Sequence, residues 1–97
     1  MNKTYRVDID GTICHTEGND YKNAEPDFEA IAKINRLFDE GNNIIYWTAR
    51  GSSSGRDCYQ LTLGQLLLWG CKFNSLQMGK PSFDYIIDDR AIKISEL

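Results

Sequence analysis

The stretch that decides the fold is Thr4-Tyr5-Arg6-Val7-Asp8-Ile9-Asp10-Gly11-Thr12. Its apolar and polar residues alternate as far as position 9, which predicts a strand over residues 4–9. The Asp10-Gly11-Thr12 sequence is a turn signal, so two carboxylates stand where the strand ends. Asp8 and Asp10 would share one face of a regular strand. Because Gly11 permits a sharp turn, the two side chains can instead diverge around a ligand.

Two apolar runs with helical spacing follow this strand. Pro26 and Asp27 can open a first helix, and Gly41 ends it. A second helix is predicted from about residue 56 to residue 69. Its apolar face is predicted to comprise Tyr59, Leu63, Leu66 and Leu67. The polar stretch 14–25 between the first strand and the first helix is predicted to be an irregular loop, which we call the flap.

Short apolar runs predict further strands at 44–47, 75–78, 85–87 and 91–94. Strands that alternate with helices indicate a Rossmann-like α/β fold, in which helices flank a parallel sheet. Ligands of such sheets bind beyond the carboxyl ends of the strands. Asp8, Thr48 and the pair Asp88 and Asp89 (the acidic pair) all follow predicted strands. These residues are therefore expected to converge at one edge of the sheet.

Composition limits the partners of the chain. Its 97 residues are 41% hydrophobic and 26% charged, which predicts one small globular domain over residues 1–97. The net charge of −3 argues against a nucleic-acid binder with a broad basic surface. No apolar run is long enough to span a membrane. The three cysteines are odd in number and lack CxxC spacing, so free thiols in the cytoplasm are expected.

The residues at the predicted strand ends supply the groups that phosphoryl transfer to a carboxylate requires. One carboxylate must attack phosphorus and a second must move protons, and Asp8 and Asp10 are the candidates. Thr48 offers a hydroxyl and Lys80 a cation to hold the phosphate oxygens. The acidic pair provides oxygen ligands of the kind that a divalent metal ion prefers.

The order of these residues resembles the four motifs of the haloacid dehalogenase superfamily, and the motifs span nearly the whole chain. They correspond to Asp8-Ile9-Asp10-Gly11-Thr12, Thr48, Lys80 and Asp88-Asp89. The resemblance implies that Asp8 is the nucleophile and Asp10 the general acid and base. It further implies that Thr48 binds the phosphate and that Lys80 steadies both nucleophile and phosphate.

The resemblance also implies a cofactor and a reaction type. Mg²⁺ would be held by Asp8, the backbone carbonyl of Asp10 and the acidic pair, and it is left open which of Asp88 and Asp89 contacts the ion. Superfamily members that cleave carbon–halogen bonds generally lack the second aspartate. The presence of Asp10 therefore favours hydrolysis of a phosphate ester.

The chain has no insertion large enough for a separate cap domain. The gaps 13–25 and 51–79 hold only the flap, one predicted helix and one short strand. In this respect the chain resembles the capless subgroup, and within it the small phosphatases of sugar-phosphate and surface-polysaccharide pathways. The resemblance implies a small phosphorylated metabolite as substrate, with a sugar phosphate as the leading candidate. The short flap favours self-association into a homo-oligomer.

Several alternatives stay open at this point. Arg50 is a further candidate for substrate binding, and the alternative interpretation is that it forms an ion pair at the surface. Arg56 can face phosphate from a helix start but is predicted to be solvated, as is His15 in the flap.

Two other functions compete with a small-molecule phosphatase. One is a non-catalytic or phosphoacceptor regulatory module of the same fold, and the other is a phosphatase acting on protein or nucleic acid.

Overall fold

Strands and helices alternate through most of residues 2–97, the part of the chain that the computed structural model describes. In chain order these elements are β1 (Thr4–Val7), β2 (Cys14–His15), β3 (Glu25–Pro26), α1 (Phe28–Asp39), β4 (Asn43–Trp47), α2 (Tyr59–Leu68) and β5 (Ser75–Gln77). Short 3-10 helices lie at Tyr21–Asn23 and Ile94–Glu96. No helix among residues 2–97 has the length and apolar character needed to cross a membrane.

The central sheet has three parallel strands in the order β1-β4-β5. Val7 pairs with Tyr46, and Trp47 pairs with Gln77, so the strands end together at one edge of the sheet. The predicted parallel α/β arrangement is thus confirmed in its coarse form. The flap is more regular than predicted, because its ends pair as the antiparallel strands β2 and β3.

The core forms where the apolar faces of sheet and helices meet. Ile9, Ile44 and Tyr46 are fully buried, as the alternation along the first strand and the apolar run of the second predicted. Asp27 caps α1 as predicted, because its Oδ1 accepts a hydrogen bond of 3.1 Å from the Ala30 backbone N–H. These contacts hold α1 against the sheet and so fix the backbone on which the strand-end residues stand.

The predicted apolar face of α2 is wrong in part. Thr62 and Gln65 face the interior, whereas Tyr59 is 38% exposed and Leu67 is 63% exposed. The cause is the buried guanidinium of Arg50, which donates hydrogen bonds to both of those polar side chains. A buried cation must be hydrogen-bonded, so Thr62 and Gln65 face the interior in place of leucine side chains.

The two strands predicted nearest the C-terminus are not formed. Residues 85–87 form an exposed loop, in which Tyr85 is 90% exposed and Ile87 is 100% exposed. Residues 91–94 form no strand either, and Ile94 instead begins a 3-10 helix. A strand forms only where a neighbouring strand can pair with it. An apolar run in the sequence does not show whether such a neighbour is present.

The Tyr46 hydroxyl is buried and makes no well-formed hydrogen bond among residues 2–97, with only a weak contact to the Cys71 thiol beside it. Leaving a buried donor unpaired costs on the order of 1–3 kcal/mol. Tyr46→Phe keeps the ring that packs edge-on against Phe73 at 5.7 Å. We therefore expect this substitution to raise the free energy of unfolding by about 1 kcal/mol in chemical denaturation. A loss of stability would show that the hydroxyl is satisfied.

Candidate functional site

Asp8 and Lys80 meet beyond the carboxyl ends of β1 and β5. Lys80 Nζ donates to Asp8 Oδ1 at 3.1 Å, across 72 residues of sequence. The second carboxylate oxygen, Oδ2, accepts a hydrogen bond of 3.1 Å from the Thr12 hydroxyl. The Asp8 side chain is 39% exposed and that of Lys80 is 14% exposed. A fixed cation thus touches a carboxylate that ligands can still reach.

Lys80 is held in place by its backbone and by two aromatic rings. Its backbone N–H donates to the Thr48 carbonyl at 3.0 Å, and its own carbonyl accepts from the Ser52 hydroxyl at 3.2 Å. Nζ lies 5.4 Å from the centre of the Trp47 ring and 5.3 Å from that of Phe83. Such cation–π contacts restrict the ammonium group to a small region above Asp8.

Asp10 does not share the surroundings of Asp8, because it forms an ion pair with Arg50. Arg50 Nε donates to Asp10 Oδ2 at 2.9 Å and Nη2 donates to Oδ1 at 2.8 Å, a bidentate contact. The Thr16 hydroxyl also donates to Asp10 Oδ1, at 2.5 Å. The turn at Gly11 therefore turns the two carboxylates towards different partners, as the sequence predicted.

Arg50 is a buried organising residue. Its Nη1 donates to Thr62 at 3.2 Å and to Gln65 at 2.5 Å, and its guanidinium carbon lies 4.8 Å from the centre of the Tyr21 ring. Its side chain has no exposed surface. The ion pair is consequently buried and not at the surface. The prediction that Arg50 binds substrate finds no support in this geometry, because protein groups occupy the guanidinium.

The same interactions set the protonation of the Asp10–Arg50 pair. Burial alone would raise the pKa of Asp10, but hydrogen bonds from Arg50 and Thr16, together with the charge of Arg50, hold it below its usual value. Burial alone would lower the pKa of Arg50. The hydrogen bonds and the charge of the Asp10 carboxylate outweigh that effect, so the pKa of the guanidinium is raised. Both groups are therefore charged at neutral pH.

Thr48 directly follows β4, which is the central strand of the sheet. It is 1% exposed, and its hydroxyl oxygen accepts a hydrogen bond of 3.1 Å from the Arg50 backbone N–H. Since a hydroxyl can accept and donate at once, its proton is still free for a further acceptor. The structure thus places Thr48 at the predicted edge, with its hydroxyl buried.

The acidic pair does not join the site within one copy. Asp88 and Asp89 lie in the exposed C-terminal loop, and Asp88 Oδ1 accepts a hydrogen bond of 2.7 Å from the Arg90 backbone N–H. No cluster of three or more acidic, histidine or cysteine side chains suited to a metal ion occurs among residues 2–97. The residues predicted to hold Mg²⁺ therefore do not form a set of ligands for the ion among residues 2–97.

A cavity of about 370 Å³ opens between the flap and the loop that follows β4. Its polar lining includes Asp20, Tyr21, Lys22, Ser53, Ser54, Arg56 and Ser82. Gly51 shapes this loop, because a Cβ there would collide with the Arg56 carbonyl and its φ of +80° favours glycine. Two lining residues are near the strand-end residues along the chain, because Ala49 follows Thr48 and Ser82 is two residues after Lys80, but the strand-end residues themselves do not line the cavity.

Some residues of this site were not predicted from sequence. Tyr21 and Gln65 join the flap to α2, because Gln65 Nε2 donates to the Tyr21 carbonyl at 2.6 Å. Gln65 stands among leucines, and a lone polar residue in such a run is a usable signal of a buried polar contact. Arg56 is exposed, as predicted, and it also lines the cavity. His15 is exposed as predicted and pairs with Glu17 at 2.9 Å.

Comparisons with known proteins bear on the fold. No protein-family model and no curated protein matches the chain. A crystal structure of an MCSG target from Vibrio cholerae aligns with this chain at 26% sequence identity and a TM-score of 0.88. The alignment covers 97% of this chain and 85% of the Vibrio cholerae chain. The chain therefore has a small α/β fold that the Vibrio cholerae protein shares along almost its whole length.

Proposed function

We propose that this chain is a phosphatase that hydrolyses a phosphate monoester of a small metabolite through a phosphorylated Asp8. The proposal assigns the chain to the haloacid dehalogenase superfamily, on the motif resemblance described above. The observation that carries it is the contact of Lys80 with a half-exposed Asp8 carboxylate at the carboxyl edge of a parallel sheet. A carboxylate nucleophile needs such a neighbouring cation, because it must approach a phosphate of like charge.

In the first step an Asp8 oxygen attacks phosphorus, and the bond from phosphorus to the ester oxygen breaks. The Thr12 hydroxyl holds Oδ2, which orients the carboxylate for attack. Lys80 Nζ, next to Oδ1, stabilises charge on the phosphoryl oxygens during the transfer. Asp10 donates a proton to the departing oxygen, so the product leaves as an alcohol.

Asp10 must gain a proton before it can act as that acid. With Arg50 bound its pKa is lowered, and it is a carboxylate at neutral pH. The arriving phosphate brings negative charge close to it, and a like charge raises the pKa of a carboxyl group. Substrate binding thus supplies the shift towards the acid form, while Arg50 restores the carboxylate when the alcohol has left.

In the second step Asp10 acts as a base. It takes a proton from a water molecule, which attacks phosphorus and breaks the bond between phosphorus and Asp8. The products are inorganic phosphate and the free Asp8 carboxylate. The proton on Asp10 is lost to solvent, and the Arg50 pair holds the carboxylate in place for the next cycle.

Magnesium dependence and a phosphate contact from Thr48 also belong to the proposal, and they rest on the motif resemblance. A bound divalent ion would offset the repulsion between carboxylate and phosphate. No cluster of three or more acidic, histidine or cysteine side chains suited to the ion occurs among residues 2–97, so the steps above are assigned to protein groups only.

The cavity beside the site supports a polar leaving group. Its volume of about 370 Å³ suits a small molecule, and hydroxyls from three serines together with two cations line it. Because Asp20 lines the cavity together with Lys22 and Arg56, the lining is of mixed charge and favours a leaving group rich in hydroxyl groups, such as a sugar. Such a substrate would place its phosphate at Asp8 and its remainder between the flap and the following loop.

Arg56→Ala is expected to raise KM about tenfold for a polar phosphorylated metabolite and to leave kcat nearly unchanged. The reason is that a hydrogen bond to a charged group contributes about 1.5–3 kcal/mol to binding when it is formed in ground state and transition state alike. Steady-state kinetics would measure the effect. Arg36→Ala, on the exposed side of α1, is the matched control and should retain the KM of the unsubstituted protein.

A phosphate-release screen with added magnesium tests the proposed function. The panel contains sugar phosphates, other small phosphate monoesters, phosphopeptides and phosphorylated oligonucleotides. Release from small monoesters, lost in Asp8→Asn, is the expected result. Release from the peptides or oligonucleotides alone would favour a macromolecular substrate, and no release from any would contradict a phosphatase.

A further inference from the structure

The Asp10 carboxylate, helix α2 and the flap meet at the guanidinium of Arg50. Nε and Nη2 donate to the two oxygens of Asp10, at 2.9 and 2.8 Å. Nη1 donates to Thr62 and Gln65, which are neighbours three residues apart on α2. The ring of Tyr21 in the flap lies over the guanidinium, with 4.8 Å between the ring centre and the guanidinium carbon. The position of Arg50 is therefore set by the helix and by the flap.

These contacts also set the orientation of the Asp10 carboxylate. Two parallel hydrogen bonds from a guanidinium hold a carboxylate near the plane of that guanidinium. The plane is in turn fixed by the Nη1 hydrogen bonds and by the face of the Tyr21 ring, on which a guanidinium stacks. Without these neighbours Arg50 could turn, and the Asp10 carboxylate would turn with it. The orientation of Asp10 thus depends on residues with which it forms no hydrogen bond.

Gln65 links Arg50 to the flap through both ends of its amide group. Its Oε1 accepts from Arg50 Nη1 at 2.5 Å, and its Nε2 donates to the Tyr21 backbone carbonyl at 2.6 Å. Gln65 is buried, and a buried polar group that loses its partner destabilises the fold. The flap cannot move away from α2 at Tyr21 without breaking this hydrogen bond.

The same part of the flap forms a wall of the cavity proposed for the leaving group. Residues 19–22 line that cavity, and Tyr21 is one of them. Gln65 is not among the lining residues, so it can affect a reaction there only through its neighbours. Tyr21 therefore belongs both to the cavity wall and to the contacts that orient Asp10.

One oxygen of Asp10 keeps room for a proton. Oδ1 accepts hydrogen bonds from Arg50 Nη2 and from the Thr16 hydroxyl, and the Cys14 thiol lies 3.6 Å from it. Among residues 2–97, Oδ2 accepts only from Arg50 Nε, at 2.9 Å. Each carboxylate oxygen has two lone pairs, so Oδ2 has one left at which a proton can be held for transfer.

We propose that Tyr21 and Gln65 are positioning residues, which act through Arg50 to hold Asp10 Oδ2 towards the ester oxygen of the substrate. This inference rests on the proposed function, in which Asp10 protonates that oxygen. As the nucleophile binds phosphorus and the bond from phosphorus to the ester oxygen breaks, the proton passes from Oδ2 to the ester oxygen. Asp10 is then a carboxylate paired with Arg50. The contacts that shape the cavity wall thus also align the proton donor with the leaving group.

The dependence of the rate on the leaving group tests this alignment. Para-nitrophenyl phosphate releases a phenolate that needs no proton, whereas benzyl phosphate, of similar size, releases an alkoxide that does. The measured quantity is kcat/KM for benzyl phosphate divided by kcat/KM for para-nitrophenyl phosphate. Gln65→Leu is expected to lower this ratio about tenfold, a part of the contribution that a well-placed general acid makes. Asp10→Asn should lower it further, whereas a loss of folded protein alone reduces both rates equally and leaves the ratio unchanged.

A matched pair of substitutions at position 21 isolates the role of the ring. Tyr21→Leu removes the ring face over Arg50 and should lower the ratio as Gln65→Leu does. Tyr21→Phe keeps the ring and loses only a hydroxyl that donates to Asn19, so it should retain the ratio of the unsubstituted protein. Leu68→Gln, at an 83% exposed position of α2, is the control for a change in the helix and should also retain the ratio.

The outcomes separate this inference from the proposed function. Circular dichroism identifies a variant that does not fold, and if Gln65→Leu is one, Tyr21→Leu in the flap decides. A folded Gln65→Leu or Tyr21→Leu variant that keeps the ratio of an active unsubstituted protein would overturn the inference and leave the phosphatase standing. An unsubstituted protein that releases phosphate from neither substrate would contradict the proposed phosphatase, and the inference with it.

Discussion

Asp8→Asn is expected to remove turnover of a generic aryl phosphate, with a loss of at least about a thousandfold in kcat. The amide is close to the carboxylate in shape but is not a nucleophile, and removal of a nucleophile causes losses of this order or larger. Lys80 also loses its charged partner at 3.1 Å. Phosphate release under saturating substrate measures the effect.

The control for this substitution is Asp39→Asn. Asp39 is exposed at the end of α1 and pairs with Lys72 at 2.9 Å, far along the chain from the strand-end residues. A surface pair of this kind contributes little to stability, so the variant should be fully active. Substantial activity in Asp8→Asn, with a folded protein by circular dichroism, would refute Asp8 as the nucleophile.

Arg50→Met is expected to lower the free energy of unfolding by about 3 kcal/mol. The substitution leaves Asp10 without its bidentate partner and leaves the buried Thr62 and Gln65 without a donor, and breaking a buried pair from one side costs about 3–5 kcal/mol. The lower value applies because the Asp10 side chain is 26% exposed. Chemical denaturation measures the loss, and Arg36→Met on the surface of α1 should change stability by no more than about 0.5 kcal/mol.

The Arg50 effect should depend on pH in a defined direction. Because the folded-state pKa of Asp10 lies below the ordinary value of 3.8, the pair stabilises the fold at all pH values above that value. This stabilisation is lost as pH falls through the folded-state pKa. The difference in unfolding free energy between the unsubstituted protein and Arg50→Met should therefore shrink below about pH 4. A difference that stays constant to lower pH would show that the Asp10 charge is not its source.

The part of the fold that local patterns determine was predictable from sequence. Alternation around Val7, the apolar run that ends at Trp47 and the cap at Asp27 each depend on residues close in sequence, and the structure confirms all three. The contact of Asp8 with Lys80 agrees with what the motif resemblance implied, whereas the argument from strand ends concerned Asp8, Thr48 and the acidic pair.

The predictions that failed depend on contacts between distant residues. The inward face of α2 is decided by Arg50, which lies in the loop after another strand, so the leucines of the helix gave a misleading pattern. Arg50 pairs with Asp10, which lies 40 residues away in the sequence, and local sequence patterns do not show this contact. For residues 85–87 the apolar pattern predicted a buried strand, and this prediction is wrong because the segment has no neighbouring strand among residues 2–97 and is exposed.

Reductive trapping of the phosphorylated enzyme tests the central claim most directly. The protein is mixed with excess substrate, quenched in acid and treated with borohydride, which reduces an aspartyl-phosphate to homoserine and releases phosphate. Peptide mapping by mass spectrometry is then expected to find homoserine at position 8, only when substrate was present, and no change at position 10. Turnover of the substrate with no modification at position 8, or with the modification at another aspartate, would contradict the mechanism.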